Sequence, residues 1–328
     1  MLPAPLRLAF VGQQTFFRAC AWEERSARAQ TTFIEFRDGR DPELLREQLR
    51  AFDPDAIVVF RPETVPHGVL ADFAVPILGF LTEPISRTTD GGDGASHWDL
   101  EERRRQTARM DPQNVDRIVS FDPLIVPTVD EVMEVWRSLP IPVADRLFRP
   151  VARRAPQDGP PRMLFVGRST VHRERYLRDV KHRFDLLHVA FGIQVDELER
   201  LLDRHEITFN IHNEPYPSFE NRVLLHLAAG HLVISEPLSP THGLEPGVDF
   251  VEVGDPDALT RVAAAAVRDP EAFLPVRVRG RQKAELVRAS RVWPALVRDL
   301  VADLKAFGTH RVAAPPEPPA ALSRSGAA

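Results

Sequence analysis

The sequence has one cysteine, Cys20. It therefore has no internal disulfide, and a thiol-rich metal cluster is excluded. Basic charge is not in excess: 42 Lys and Arg stand against 47 Asp and Glu, a net charge of −5. That balance argues against a nucleic-acid partner. No apolar run approaches the roughly 20 residues of a transmembrane segment. The opening MLPAPLRLAFVG has too short an apolar core for a signal peptide. The expectation is a soluble, cytoplasmic chain. What is present is ordinary for a globular protein, with 43% hydrophobic and 27% charged residues, which excludes fibrous and mostly disordered classes. A length of 328 residues is two domains at roughly 150 residues each. The one excess is proline, 30 residues, about twice the usual share.

Short apolar runs alternate with helical stretches. Strands are expected at Leu6–Val11, Thr32–Phe36, Ile57–Phe60, Val75–Phe80, Arg117–Ser120 and Leu139–Val143. A second series follows at Arg162–Val166, Asp185–Val189, Ile207–Ile211, His231–Ser235 and Asp249–Val253. Near-continuous apolar strands separated by helices imply parallel sheets covered on both faces. Asp41-Pro42-Glu43 and Asp255-Pro256-Asp257 each place Asp at N-cap, Pro at N1 and an acid in the first turn, so each starts a helix. Val195–Arg204 and Ser218–Ala229 also read as helices, and 271–307 is helical. The fold class is thus α/β, two doubly wound (Rossmann-like) domains facing a cleft. The expected division is 1–145, a linker over 146–161, a second domain over 162–310, and a disordered Pro/Ala/Ser-rich tail over 311–328. Most prolines are punctuation: Pro42 and Pro256 start helices, Pro140, Pro142, Pro150, Pro160 and Pro161 mark the linker region, and Pro215 and Pro217 hold a loop extended.

That loop belongs to the most informative stretch, Phe209–Val253. A strand ends in His212-Asn213-Glu214, and Ser218 is placed to cap the next helix with Glu220 in its first turn. The free N–H groups and dipole of a helix start favour an anion. Arg222 in the same turn adds a charge-assisted contact to phosphate. Ala228-Ala229-Gly230 allows close helix–sheet packing. Elsewhere, Gly12-Gln13-Gln14-Thr15 after the first strand is not G-x-G-x-x-G, so dinucleotide binding is a weak reading. Asp90–Ser96 is read as a mobile loop that lacks the ligand spacing of a calcium site. Asp53-Pro54-Asp55 and Asp255-Pro256-Asp257 are turn chemistry, and no metal or cofactor is expected.

The loop–helix–Ala-Ala-Gly–strand unit, Leu244–Phe250, the Asp255-Pro256 cap, Pro142–Pro150 and Met163–Arg168 together resemble the group 1 glycosyltransferases. The likeness is nearest to their spore-maturation (CgeB-like) branch. It covers about residues 139–305, roughly half the chain. It implies the two-domain GT-B fold, with a C-terminal helix packing back on the N-terminal domain. It also implies transfer of a sugar, hexosyltransferase-like, from a nucleotide-sugar co-substrate to a glycan, lipid or protein hydroxyl. On that resemblance Gly167, Arg168, Asn213, Ser218, Glu220, Asn221 and Arg222 bind the donor. Gly12 and Gln13 face the cleft from the other domain. Glu214, His212 and Glu83 are the catalytic candidates, with Glu63 and His242 also at the cleft edge. Lys181, Arg173 and Arg175 are candidates for the family's lysine after the Gly-Arg turn. Retaining members carry two glutamates eight positions apart before the small-residue turn. Here Pro217 and Leu225 occupy those positions. This leaves a non-catalytic nucleotide- or glycan-binding protein, or a nucleotide-sugar epimerase, as alternatives.

Overall fold

The computed structural model describes residues 5–87, 97–153, 159–190 and 192–311. The Asp90–Ser96 loop and positions 312–328 of the tail lie outside the described residues. The N-terminal sheet contains β1 (Leu6–Gly12), β2 (Ala29–Glu35), β3 (Ala56–Phe60), β4 (Ile77–Leu81), β5 (Arg117–Ser120) and β6 (Val135–Ser138). They are parallel, in the order β2-β1-β3-β4-β5-β6. Its helices are α1 (Gln14–Phe17), α2 (Pro42–Phe52), α3 (Trp98–Thr107) and α4 (Val126–Val129). The second sheet contains β7 (Met163–Val166), β8 (Leu186–Val189), β9 (Ile207–Asn210), β10 (Leu232–Ser235) and β11 (Val251–Glu252). They too are parallel, in the order β11-β10-β9-β7-β8. With it go α5 (Val171–Arg183), α6 (Val195–Leu202), α7 (Arg222–Ala228), α8 (Pro256–Arg268), α9 (Leu274–Ala284) and α10 (Ala289–Phe307).

The two sheets repeat one winding. In each, the first strand lies between the second and the third, so the chain reverses direction at β1/β3 and at β7/β9. A crevice opens at the carboxyl ends of the strands at such a reversal, and ligands bind there. The strand sequences suit this architecture. All five residues of β3, AIVVF, are buried. Its Val58 and Phe60 join one apolar cluster and its Ile57 and Val59 another, as a strand covered on both faces requires. The first cluster is shared between the domains, joining Phe10, Phe60 and Phe80 to Leu164, Leu227 and Val233.

Asp41 and Asp255 cap α2 and α8, accepting from the Glu43 and Ala258 backbone N–H groups. The helix α10 returns to the N-terminal domain, where Trp293 donates to the Cys20 carbonyl. Arg311, expected in the tail and the last of the described residues, follows it and donates to Asp116 and to the Leu70 and Val75 carbonyls.

Two expectations are corrected. The sixth strand is Val135–Ser138, not Leu139–Val143, which makes only an isolated bridge from Val143 to Arg288. Pro140 and Pro142 cannot donate to a ladder. The helix expected over Ser218–Ala229 begins only at Arg222. Ser218 does not cap it, because the Ser218 hydroxyl is engaged by His212. The phosphate site proposed at a Ser218–Glu220 helix start therefore does not exist in that form.

One glycine decides a packing distance. Gly280 of α9 faces α7, and a Cβ there would collide with the Asp249 carbonyl and lie 2.6 Å from Leu227 Cδ2. Alanine has the higher helix propensity by about 1 kcal/mol. Backbone cannot move aside as a side chain can, so overpacking outweighs propensity. Gly280→Ala is expected to destabilise by about 1–3 kcal/mol, read as a fall in the urea midpoint. A rise would show that α9 shifts freely.

Candidate functional site

The second sheet reverses at β7/β9, and there the sequence places Gly167-Arg168 beside Ile211-His212-Asn213. Thr170 caps α5, accepting from the Arg173 N–H and donating to the Asn213 carbonyl, 2.8 Å. This ties the two turns together. Arg173, in the first turn of α5, has a side chain only 3% exposed. It donates to the Ile211 carbonyl (3.0 Å), the Arg168 carbonyl (3.1 Å), Asn213 Oδ1 (3.3 Å) and Glu220 (2.7 Å). Arg222, 13% exposed, pairs with the other oxygen of Glu220 and donates to the Ile211 carbonyl. Arg168, exposed, donates from Nε to Asn213 Oδ1 at 2.8 Å.

Three guanidinium groups thus converge on two turns, and Arg173 and Arg222 share one carboxylate. Burial and the neighbouring Arg168 charge lower Arg173 to about 10. Burial and Arg173 push Arg222 well below the usual arginine range. Gly167 makes room here: a Cβ would stand 3.1 Å from an Arg222 nitrogen and 3.2 Å from an Arg173 nitrogen, so a guanidinium group would have to shift. Asn213 Nδ2 is buried and has no hydrogen-bond partner among the described residues. Chemically, a cluster of guanidinium groups with one shared carboxylate is able to hold an anion.

His212 is buried and does not point to a free site. Its Nε2 lies 2.9 Å from the Pro237 carbonyl and so carries the proton, leaving Nδ1 to accept from Ser218 at 3.1 Å. Burial holds it below the usual histidine range. Glu214 is half-buried and 3.8 Å from His97 of the other domain. Asn221 donates to Cys20 Sγ at 2.9 Å, and burial raises that thiol to about 12. His242 is enclosed against Phe219. Lys181 pairs with Glu174 on α5.

In the N-terminal sheet the corresponding reversal, β1/β3, brings Gly12-Gln13 beside Arg61. A Cβ on Gly12 would be 3.0 Å from Phe60 Cβ. Arg61 has φ +58, uncommon for a residue with a side chain. It pairs with Glu63 at 2.9 Å and with Glu83 at 3.5 Å. Glu83 also pairs with Arg103, so it is neutralised from two sides. Burial raises Glu63 above the usual carboxylate range.

Three further features escaped the sequence reading. Glu236, at the carboxyl end of β10, accepts from the His212 N–H (2.7 Å) and from His172 Nε2 (2.9 Å). Its place directly after a strand was the available signal. Tyr216 of the loop after β9 donates to Asp99 of α3 at 2.7 Å, and Asp99 pairs with Arg103 at 3.1 Å. Arg87 pairs with Asp122 of its own domain (3.0 Å) and reaches the Ser239 carbonyl of the other (2.7 Å). Nothing local marks these long-range partners.

The buried histidines make stability depend on pH. His231 donates from Nε2 to the Leu202 carbonyl, so its Nδ1 accepts from His226 Nδ1 at 3.1 Å. Burial lowers His231 to about 4, lowers His242 to about 4, and lowers His226 as well. Below pH 6.5 the unfolded chain takes up protons that the folded chain refuses. This stability is therefore present at neutral pH and is lost as pH falls from 6.5 towards 4. The loss from His231 alone is about 2 kcal/mol between pH 7 and 5. Urea midpoints at the two pH values check it, and equal midpoints would contradict it.

Two domains with this winding and this returning helix define the GT-B fold. Solved structures share it. Sucrose-phosphate synthase from Thermosynechococcus elongatus is 13% identical, with 92% of this chain and 98% of that one covered and a TM-score of 0.57. Anabaena HepE in complex with UDP and glucose is 10% identical, covering 90% and 100%, TM-score 0.53. HepE with UDP-glucose is 9% identical, covering 92% and 100%, TM-score 0.52. These likenesses establish the fold. No protein-family profile and no curated protein matches the chain. Among the described residues no helix is long and apolar enough to cross a membrane.

Proposed function

We propose that the chain is a metal-independent glycosyltransferase that moves a sugar from a nucleotide-sugar donor to a hydroxyl of a glycan, lipid or protein. The observation that carries this reading is the pair of largely buried arginines, Arg173 and Arg222, sharing the single carboxylate of Glu220 beside Arg168. A diphosphate placed there supplies the missing counter-charge. HepE, which shares the fold, binds UDP and UDP-glucose.

In the reaction the anomeric carbon–oxygen bond to the diphosphate breaks and a bond to the acceptor oxygen forms. The arginines stabilise the charge gathering on the leaving diphosphate without reorganising, which is the work a metal does in other transferases. The acceptor proton needs a base. His212 has both ring nitrogens engaged and Glu83 is doubly paired, so Glu214, the least engaged carboxylate on the donor loop, is the assigned candidate. The finer placement in the CgeB-like branch rests on the Met163–Arg168, Ala228–Gly230 and Leu244–Phe250 motifs.

A second reading, a nucleotide-binding protein without turnover, draws support from Pro217 and Leu225 standing where retaining relatives have glutamates. The test is a panel of nucleotide sugars, following nucleotide release with and without a chelator. Release that survives the chelator is expected. Nucleotide binding with no release from any donor selects the second reading, and no nucleotide binding overturns both.

A further inference from the structure

The joint between the two domains buries polar atoms that find no partner among the described residues. Asn221 Oδ1 is one, on the same amide whose nitrogen donates to Cys20 Sγ of the N-terminal domain at 2.9 Å. Thr82 Oγ1, past the end of β4, is a second, and His242 Nε2 of the second domain is a third. The fold gathers them. The Phe121 N–H donates to the Leu81 carbonyl beside Thr82. The His242 ring faces the Phe121 backbone of the N-terminal domain and meets Phe219 edge-on at 4.5 Å. Phe219 lies in the loop that leads into Asn221. Each of these atoms regains water when the domains part, so they oppose the apolar cluster that holds the joint shut. His242 differs in this from the other buried histidines. His226 and His231 bond to each other and to the Leu202 carbonyl, all inside the second domain, so parting the domains does not hydrate them. His242 is enclosed between the domains, at a backbone φ of +50 that its surroundings impose.

We propose that this joint is an acid-sensitive hinge, in which protonation of His242 parts the two domains while each stays folded. Burial lowers His242 to about 4, whereas an imidazole in water titrates near 6.5. The closed arrangement therefore holds the neutral ring and the open one takes up the proton. The preference for closure is complete above pH 6.5 and is lost as pH falls towards 4. With the ring fully hydrated on opening, the ratio of open to closed chains rises about 20-fold between pH 7 and pH 5. The charged groups on the surrounding elements do not supply this effect. Asp122, next to Phe121, is paired with Arg87, which also holds the Ser239 carbonyl. Lys283 donates to the Gly243 carbonyl and stands 3.8 Å from Asp249. Glu220 is shared by Arg173 and Arg222. Burial raises the Cys20 thiol to about 12, so it is neutral throughout. His97, 3.8 Å from Glu214 across the cleft, works in the opposite sense, because a charge on it draws the domains together. The hinge does not depend on what the cleft binds.

The chain carries its own reporter. Cys20 is its one thiol, is fully buried and touches Asn221 across the joint, so parting the domains uncovers it. The experiment follows labelling of the full chain by dithiodipyridine at pH 7 and pH 5, each rate divided by that of β-mercaptoethanol at the same pH. The corrected rate is expected to rise about 20-fold at pH 5, with helix content by circular dichroism unchanged. It should respond only weakly to low urea, because parting exposes far less surface than unfolding. In His242→Gln, which does not titrate, the rise should shrink to less than about threefold. If that variant does not fold, His242→Asn takes its place, since asparagine tolerates a left-handed backbone. A corrected rate equal at the two pH values overturns the proposal. So does a rise that survives in the folded His242 variant, or one with the urea dependence of global unfolding.

Discussion

Replacing Arg173 with alanine is expected to reduce UDP affinity at least 100-fold and to lower stability by about 3–5 kcal/mol. The two effects have one origin. Arg173 is the hub of the second sheet's reversal point, bonding to the Arg168 and Ile211 carbonyls, Asn213 and Glu220 at once. Removing it leaves one Glu220 oxygen and the Arg168 carbonyl without a donor, while Arg222 still reaches the other Glu220 oxygen and the Ile211 carbonyl. Breaking a buried pair from one side costs about that much. Arg173→Lys separates charge from shape. It keeps a cation but loses the planar fork that serves several acceptors at once, so most of the binding should still be lost. If Arg173→Ala does not fold, Arg168→Ala, on an exposed side chain, still folds and is expected to weaken UDP about tenfold. UDP affinity unchanged in both variants would mean that the arginines are structural. Calorimetric titration alongside urea unfolding separates the outcomes.

This site shows how far local pattern reaches. Gly167, Arg168 and Asn213 were placed correctly at strand ends because an apolar run followed by a polar turn is a local signal. Arg173 was one of three candidates that register could not separate. Its selection depends on the pitch of α5 beneath Gly167, which becomes visible only once Thr170 is seen to cap the helix. The start of α7 was misread for a related reason. Ser218 has the residue type of a cap, but its hydroxyl is taken by His212, six positions earlier, and competition of that kind is decided by tertiary contact.

The fold itself was more legible. Parallel strands buried on both faces must be continuously apolar, so β1, β3, β4 and β5 stood out, with ends shifted by a residue or two. Leu139–Val143 was apolar enough to deceive, and its prolines were the contrary evidence. The contacts between domains left no local trace. Tyr216 with Asp99 is separated by 117 positions, and Arg87 with Ser239 by 152.

The same long-range logic governs the second large effect, expected at Trp293. Trp293→Ala should cost about 3–5 kcal/mol. The indole is fully buried and meets Phe10, Phe60 and Phe80 edge-on, with ring centroids at 5.2, 5.8 and 5.9 Å. Such pairs add about 0.5–1.5 kcal/mol beyond their buried area. Its Nε1–H also donates to the Cys20 carbonyl at 2.9 Å. Trp293→Phe keeps a ring but leaves that carbonyl unpaired, so about 1–3 kcal/mol of the loss should remain. The position matters because α10 follows the second domain in sequence yet is anchored on the first, through Arg117–Asp303 at 2.7 Å and Arg137–Asp299 at 2.6 Å. The Arg137–Asp299 pair is over 40% exposed on each side, so Asp299→Ala should cost less than about 1 kcal/mol. If the indole is the bolt between domains, Trp293→Ala should also split thermal unfolding into two transitions, since each sheet keeps a core of its own. A single transition with an unchanged midpoint would show that α10 is dispensable to the joint.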